Sequence, residues 1–289
     1  MSEILVTGAR GLLGSVLVPF LRSQGHRVTG CSRHQENRSA DLTIYSQAEA
    51  VLNDLRPEFI INLAACTNID ECENSPQLAY LANVRVVENL VTWIKSESPH
   101  SHLVHLSTDH VYDGAGPHHE ENVILVNSYA FSKYAGELAA LSTQATILRT
   151  NFFGRSRCAG RTSFSDWLVQ SLRQGSTITV FDDVYFTPLS MSRLATLIGI
   201  TLPKRLPGIF NLGAVTGMSK ADFAFHLAEI LCLPTATMKR GSIKAASLRA
   251  RRAEDMRMDS SRFQRAFEVT LPTLQEELQT LGTDYESAR

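Results

Sequence analysis

"VTGARGLLGS", residues 6–15, decides how this chain is read. An apolar run, ILVTG at 4–8, enters three glycines, Gly8, Gly11 and Gly14, and leaves into a helical pattern over 12–24. Gly8 permits a tight turn out of a strand. Gly11 lets the backbone approach a pyrophosphate, and Gly14 lets a helix pack closely on a sheet, while the helix N-terminus adds partial positive charge. A glycine triplet alone is a weak signal. Its seat between a first strand and a first helix is the context that gives it weight. Arg10, Leu12 and Leu13 share this turn and count with it as cofactor-binding candidates.

Working outward, β-type runs at 27–32, 58–65, 102–108 and 145–150 alternate with helical patterns at 46–55, 76–95 and 128–142. Continuous apolar strands alternating with helices predict a parallel sheet covered on both faces, with ligands beyond the strands' carboxyl ends. The second half reads as helices at 162–175, 192–202 and 219–233, the last opened by Ser219, with a strand at 208–213. The fold class is α/β: a Rossmann-type doubly wound parallel sheet with a smaller C-terminal α/β substrate domain. The dinucleotide-binding domain is expected at 1–151 plus returning segments within about 189–215, and the substrate domain at 152–188 and 216–289.

The bulk properties narrow the class. The 289 residues are 44% hydrophobic and 20% charged with a net charge of -1, which points to neither nucleic acid nor an anionic membrane. No apolar run approaches a membrane span, and the N-terminus lacks the features of a signal peptide, so a cytoplasmic protein is expected. Five cysteines, odd in number and without a CxxC, read as reduced thiols. Nine histidines show no ligand spacing, so no metal site is predicted, and His118-His119 reads as surface or rim.

The second strand normally ends in an acid that takes the ribose 2′-hydroxyl of NAD. Here Ser32 and Arg33 stand at that point, with Arg10 as a second cation. Hydroxyl and guanidinium groups suit a 2′-phosphate, which favours NADPH over NADH. Asp41 and Leu42 follow as candidates to flank the adenine. Further on, Tyr129 and Lys133 lie four residues apart on one helix face. An ammonium beside a phenol favours its ionised form. Thr108, at the end of the preceding strand, offers a second hydrogen bond to a carbonyl.

These pieces resemble the extended short-chain dehydrogenase/reductases: TGARGLLG, NLAA at 62–65, NVRVVENL at 83–90, STDHVYDG at 107–114 and YAFSK. Within that superfamily the chain is similar to the dTDP-4-dehydrorhamnose reductases, on NLAACTNIDECE (62–73), STDHVYDGAG, NSYAFSKYAGE, LRT (148–150) and MRMDSSRFQRAF near the C-terminus. The resemblance implies a catalytic triad of Thr108, Tyr129 and Lys133, with Tyr129 giving a proton to a sugar keto oxygen as NADPH delivers hydride. It implies cofactor contacts from Ala64, Ala65 and Thr67 and from Tyr129 and Lys133, the lysine holding the nicotinamide ribose, with a tethering role for Asn83 and a sugar site near Asp70. A homodimer is a family-level expectation, and the partner is a nucleotide-diphosphate sugar.

The match departs in places. The family's tryptophan after RT is replaced by Asn151 and Phe152, and its DQ…G.PT loop by DDVYFTPLS (182–190). Those segments, with Asp109 and His110, are expected near the sugar, so the sugar's identity is open. Arg249, Arg251, Arg252 and Arg257, in a stretch with seven Lys or Arg against two acids over 239–257, are diphosphate candidates, Arg252 foremost. Two alternatives stand. One is a nucleotide-sugar dehydratase or epimerase, weakened because His110 occupies the place of a dehydratase glutamate. The other is a non-catalytic NADP-binding regulatory subunit, against which the retained Thr108, Tyr129 and Lys133 argue. Tyr112 is expected to pack under its loop.

Overall fold

The structure is a computed structural model that describes residues 1–33 and 39–286. The chain divides into two compact units, taken in turn: Met1–Thr108, Asn127–Arg149 and Ala195–Phe210 form the first, and Asp109–Val126, Thr150–Leu194 and Asn211–Arg289 the second.

The first unit is built on a six-stranded sheet in the order β10-β5-β4-β3-β1-β2. Its strands are β1 (Glu3–Thr7), β2 (Arg27–Cys31), β3 (Phe59–Asn62), β4 (His102–Thr108), β5 (Thr146–Thr150) and β10 (Gly208–Leu212). The pairs β1–β2, β1–β3 and β3–β4 are parallel, as continuous apolar strands require. β4 is buried along all seven residues, so it reads as an unbroken run, not an alternating one. Helices α2 (Tyr45–Leu55), α5 (Val86–Glu97) and α6 (Ser128–Ala140) share an apolar cluster with the sheet that includes Leu5, Ile60, Leu103, Leu52, Val87 and Trp93. α1 (Gly14–Ser23) packs with α8 (Met191–Lys204), where Gly199 lets the Phe20 ring come close. The predicted α/β, doubly wound architecture is what is observed. Strand order reverses between β1 and β3, and the crevice at such a reversal is where these sheets bind ligands.

The pattern at 76–95 reads as one helix, but the chain makes three pieces there. α4 (Pro76–Tyr80) runs through a π-helical turn at Leu81–Arg85 into α5. Such a turn inserts one residue and commonly marks functional positions. The short α3 (Ile69–Asn74), capped by Asn68, also went unpredicted because six residues carry too little periodicity to show.

The second unit holds three strand pairs. β6 (Phe152–Phe153) and β9 (Leu189–Ser190) are parallel, β7 (Ile178–Phe181) and β12 (Met238–Gly241) are parallel, and β8 (Tyr185–Phe186) and β11 (Met218–Ser219) are antiparallel. Its helices are α7 (Phe164–Arg173), α9 (Lys220–Ile230), α10 (Ser261–Phe267) and α11 (Leu274–Glu286). Ser163 and Asp166 close a capping box on α7, and Ser219 caps α9, as its position predicts. Phe153, Phe164, Phe186 and Phe223 meet edge-on or tilted at 5.0–6.3 Å and form the aromatic centre.

Candidate functional site

The glycine turn is built as its mechanics require. Gly8 has φ +63°, and a Cβ there would lie 2.9 Å from the backbone of Leu63 and Ala64, so the loops after β1 and β3 touch through its bare Cα. A Cβ on Gly11 would come 3.0 Å from the Gly8 carbonyl. The crowding at Gly14 differs from expectation: it comes from the Ala9 backbone at 2.6 Å, inside the turn, and not from the sheet. Leu13 is the residue before α1, and its apolar side chain, buried in the core, cannot cap the helix. The Ser15, Val16 and Leu17 amides donate instead to the Gly11 and Leu13 carbonyls, so what α1 offers a phosphate here is the partial positive charge of its N-terminus. Leu12 is half-buried beside it.

Arg10 and Arg33 are both exposed, on loops that follow the paired strands β1 and β2, whose last residues Thr7 and Cys31 are in register. Ser32 is half-buried and bridges to Ser39. Asp41 turns its carboxylate inward on its own loop, accepting from the Thr43 amide at 3.0 Å and hydroxyl at 2.7 Å. Leu42 is a core residue whose carbonyl accepts from Asn89. The tight glycine turn, the N-terminus of α1 and the exposed Arg10 and Arg33 fit a dinucleotide.

From the carboxyl ends of β1 and β3 to the middle of β4 runs a line of polar side chains. The Thr7 hydroxyl donates to Asn62 Oδ1 at 2.5 Å, and Asn62 Nδ2 donates to His105 Nδ1 at 3.0 Å. The three residues are register partners, Thr7 opposite Asn62 and Asn62 opposite His105. His105 Nε2 is buried without a hydrogen-bond partner, and burial, then the Lys133 charge, hold the ring well below the usual imidazole range. Sequence reading missed this line, because only the strand register shows that the three meet.

Beside it lies the predicted constellation. Thr108 ends β4, and Tyr129 and Lys133 sit one turn apart on α6; all three are buried. Asn127 caps α6 by accepting from the Ala130 amide at 2.8 Å, and Glu73 accepts from Ser128 N at 3.0 Å. Lys133 Nζ donates to the Leu106 carbonyl of β4 at 2.6 Å, two residues before Thr108. Burial pushes Lys133 down to about 8, against the opposing pull of Glu137. Glu137, one turn further on, accepts from the Ser107 hydroxyl and from the buried Arg149 guanidinium, whose Nε lies 2.9 Å from Oε1 and Nη2 2.6 Å from Oε2. This buried ion pair also went unread: the four-residue step puts Glu137 on the face of Lys133 but says nothing of Arg149 on β5.

Asn83 sits in the π-helical turn and is fully committed to protein partners. Its Oδ1 accepts from Cys66 N at 2.8 Å, and its Nδ2 donates to Cys66 O at 3.1 Å and Ser132 Oγ at 2.8 Å. Ser132 Oγ in turn donates to the Tyr129 carbonyl at 2.8 Å. Asn83 thus pins the loop after β3 to the turn of α6 that carries Tyr129. Ala64 and Ala65 are half-buried in that loop, Thr67 is exposed, and Asp70 lies in the first turn of α3.

The second unit gathers the sugar-site candidates among themselves. Asn151 Nδ2 donates to the fully buried Asp109 at 2.7 Å. His110 is pushed down to about 3 by burial, then by the charges of Lys220 and Arg252. Lys220, which no sequence motif singled out, holds its ammonium 5.6 Å and 6.0 Å from the Phe164 and Phe186 ring centres. Phe152 pairs with Leu189 between β6 and β9, and Arg252 donates to the Ala250 carbonyl. Arg251 is paired with Asp113 at 2.7 Å and Arg257 with Asp255 at 2.6 Å, so these two diphosphate candidates already have carboxylates. Tyr112 is buried, with its hydroxyl 2.6 Å from Asn211 Oδ1. His118 corrects the surface reading. It is buried, stacked on Tyr112 at 5.0 Å, with Nε2 2.9 Å from the Asp255 carbonyl; its exposed neighbour His119 fits the reading.

Among the described residues no group of three or more His, Cys, Asp and Glu could hold a metal ion, and no helix is long and apolar enough to cross a membrane.

The comparisons with known proteins extend along the whole chain. The family described as the RmlD substrate binding domain matches residues 1–287. A probable low-salt glycan biosynthesis reductase of Haloferax volcanii is 31% identical over 301 residues, covering 98% of this chain and 99% of that protein. The crystal structure of a hypothetical dTDP-4-dehydrorhamnose reductase from Sulfolobus tokodaii superposes with a TM-score of 0.83 at 32% identity, over 94% of this chain and 97% of that one. The methionine adenosyltransferase 2 subunit beta of Xenopus laevis is 27% identical over 261 residues, 81% of this chain and 74% of that protein.

Proposed function

The chain belongs to the RmlD substrate binding domain family, and from that premise we propose that it is a reductase that uses NADPH on the keto group of a nucleotide-linked 4-keto-6-deoxy sugar. The observation that carries this reading is the clamp on Lys133: an ammonium buried one turn from Tyr129 and tied to the strand that ends in Thr108. A protein that only bound a dinucleotide has no need of a phenol tuned by a neighbouring ammonium.

NADPH, when bound, supplies the hydride. Thr108 donates a hydrogen bond to the sugar carbonyl and draws charge toward its oxygen. Tyr129 gives its hydroxyl proton to that oxygen as negative charge develops on it. Lys133 stays protonated at neutral pH, since its ammonium titrates at about 8, and its charge stabilises the phenolate left behind. Asn83, through Ser132, keeps Tyr129 in place. Arg10 and Arg33 take the 2′-phosphate, and Asp109 with Asn151 orients the sugar hydroxyls. His110 weighs against the dehydratase alternative, because an imidazole that takes up a proton only near pH 3 is a weak base for carbon acids.

The test is a panel of nucleotide 4-keto sugars with NADPH oxidation followed optically. Consumption is expected with at least one member, and Tyr129→Phe should retain NADPH binding and lose turnover by roughly the 10²–10⁴-fold typical of a general acid. Tight NADPH binding with no consumption across the panel would instead favour a regulatory subunit, a reading that the similarity to an adenosyltransferase subunit supports. Arg33→Ala should weaken NADPH binding by about tenfold and leave NADH binding nearly unchanged, as loss of one exposed phosphate contact implies; equal effects on both cofactors would remove Arg33 from the 2′-phosphate site.

A further inference from the structure

Five cysteines, odd in number and without a CxxC, read as reduced thiols, yet two of them, six residues apart, touch. Cys72 Sγ lies 3.6 Å from Cys66 Sγ and 3.6 Å from the Cys66 carbonyl. Cys72 is on α3 and fully buried, whereas Cys66 is half-buried on the loop after β3. The Glu71 carboxylate stands 3.7 Å from Cys66 Sγ, able to take its proton. A disulfide bond is about 2.05 Å long, so the sulfurs need to close by roughly 1.5 Å, a movement the loop cysteine can make.

The surroundings give that movement a consequence. Cys72 packs in one apolar cluster with Tyr129 and Ala79, with Cys66 and Ile69 beside them. The Cys66 amide and carbonyl are both gripped by Asn83, at 2.8 Å and 3.1 Å, and Asn83 reaches Tyr129 through Ser132. Drawing the Cys66 sulfur toward α3 therefore pulls on the grip that holds Ala64, Ala65 and Thr67.

We propose that Cys66 and Cys72 form a reversible dithiol–disulfide site, oxidised by a small disulfide of the glutathione class, whose bridged form binds NADPH more weakly. The order of attack follows from the contacts. Cys66 gives its proton to Glu71 and attacks glutathione disulfide, forming a mixed disulfide and releasing one glutathione thiolate. The Cys72 sulfur then attacks the Cys66 sulfur, and its proton leaves with the second glutathione. Two electrons pass from the protein dithiol to the glutathione disulfide. The Cys72 S–H points at Cys66 Sγ and favours a thiolate there, while burial pushes the Cys66 thiol up and Cys72 further, to about 12. Attack thus begins at Cys66, and uncatalysed exchange is slow.

The effect on NADPH rests on the function proposed above; the bridge does not. Full-length protein is equilibrated with glutathione disulfide at long incubation, denatured, alkylated and mapped by peptide mass. The expected result is a linked Cys66–Cys72 peptide that dithiothreitol removes, and in Cys72→Ser a glutathione retained on Cys66. NADPH affinity measured on the same samples should fall several-fold on oxidation and recover on reduction. Full alkylation of both cysteines after equilibration, or a link to other cysteines, overturns the site. A mapped bridge with unchanged NADPH affinity overturns its effect on the cofactor. A reduced protein that binds no NADPH counts against the proposed function, while the peptide map of the wild-type chain still decides the bridge and requires no variant to fold.

Discussion

Lys133 keeps its charge at a cost. Burial moves it from the ordinary lysine value of 10.5 down to about 8, so at neutral pH the folded state holds a proton it binds less tightly than the unfolded chain does. Stability therefore rises as pH climbs through the 8–10.5 window, where the unfolded chain carries the extra proton. The shift corresponds to about 3 kcal/mol at neutral pH, and losing the bond to the Leu106 carbonyl gives back about 1–2 kcal/mol. Lys133→Met should then raise stability by about 1–2 kcal/mol while abolishing turnover, as urea denaturation and the reductase assay would show together. A destabilised Lys133→Met would mean that the ammonium is stabilising where it sits. Tyr129 and Lys133 were legible in sequence because helical spacing alone puts them on one face. Glu137 and Arg149 were not, because their pairing depends on how α6 lies against β5.

At the scale of elements, the parallel sheet carries its own register lock. Thr7, Asn62 and His105 occupy aligned positions on β1, β3 and β4, and a slip by one residue would turn each to the opposite face. Replacing Asn62 by Leu keeps the volume but leaves the Thr7 hydroxyl and His105 Nδ1 buried without their partner. A loss of about 3 kcal/mol is expected, seen as a lower urea midpoint with unchanged slope, and Thr7→Val on top should recover part of it. α6 comes close to the π-helical turn for a comparable reason: a Cβ on Gly136 would lie 2.3 Å from the Asn83 carbonyl oxygen. Strands and long helices could be read from apolar runs. The π-helical turn and α3 could not: Asn83 in the turn bonds to Cys66 and Ser132, partners 17 and 49 residues away, and α3 has only six residues in which a period could show.

For the molecule as a whole, buried neutral histidines set the acid limit. In the first unit, burial pushes His102 down to about 4, aided by Arg205, and holds His105 well below its usual range. In the second, His110 falls to about 3. Below the unfolded imidazole value of 6.5, the unfolded chain takes up protons that these sites refuse, so stability is complete above 6.5 and is lost as pH falls toward 4. The two first-unit histidines together should remove about 3 kcal/mol per pH unit in that window, measurable as a falling melting temperature between pH 7 and 5. His102→Gln and His105→Gln should each flatten that dependence; an unchanged slope in both would show that carboxylates set it. Apolar and glycine patterning made the sheet and its glycine turn legible across the chain. The grouping of 109–126 with later segments was not, because no composition change marks the step from Thr108 to Asp109.

The interleaved chain has a consequence for biosynthesis. β10, the strand beside β5, begins at Gly208, after the whole 150–194 stretch of the second unit. On a ribosome, the first unit waits for those residues before its sheet is finished, and until then β5 offers an unpaired ladder of amides and carbonyls. Chains that stop short of Gly208 never cover that ladder, and their natural fate is edge-to-edge association.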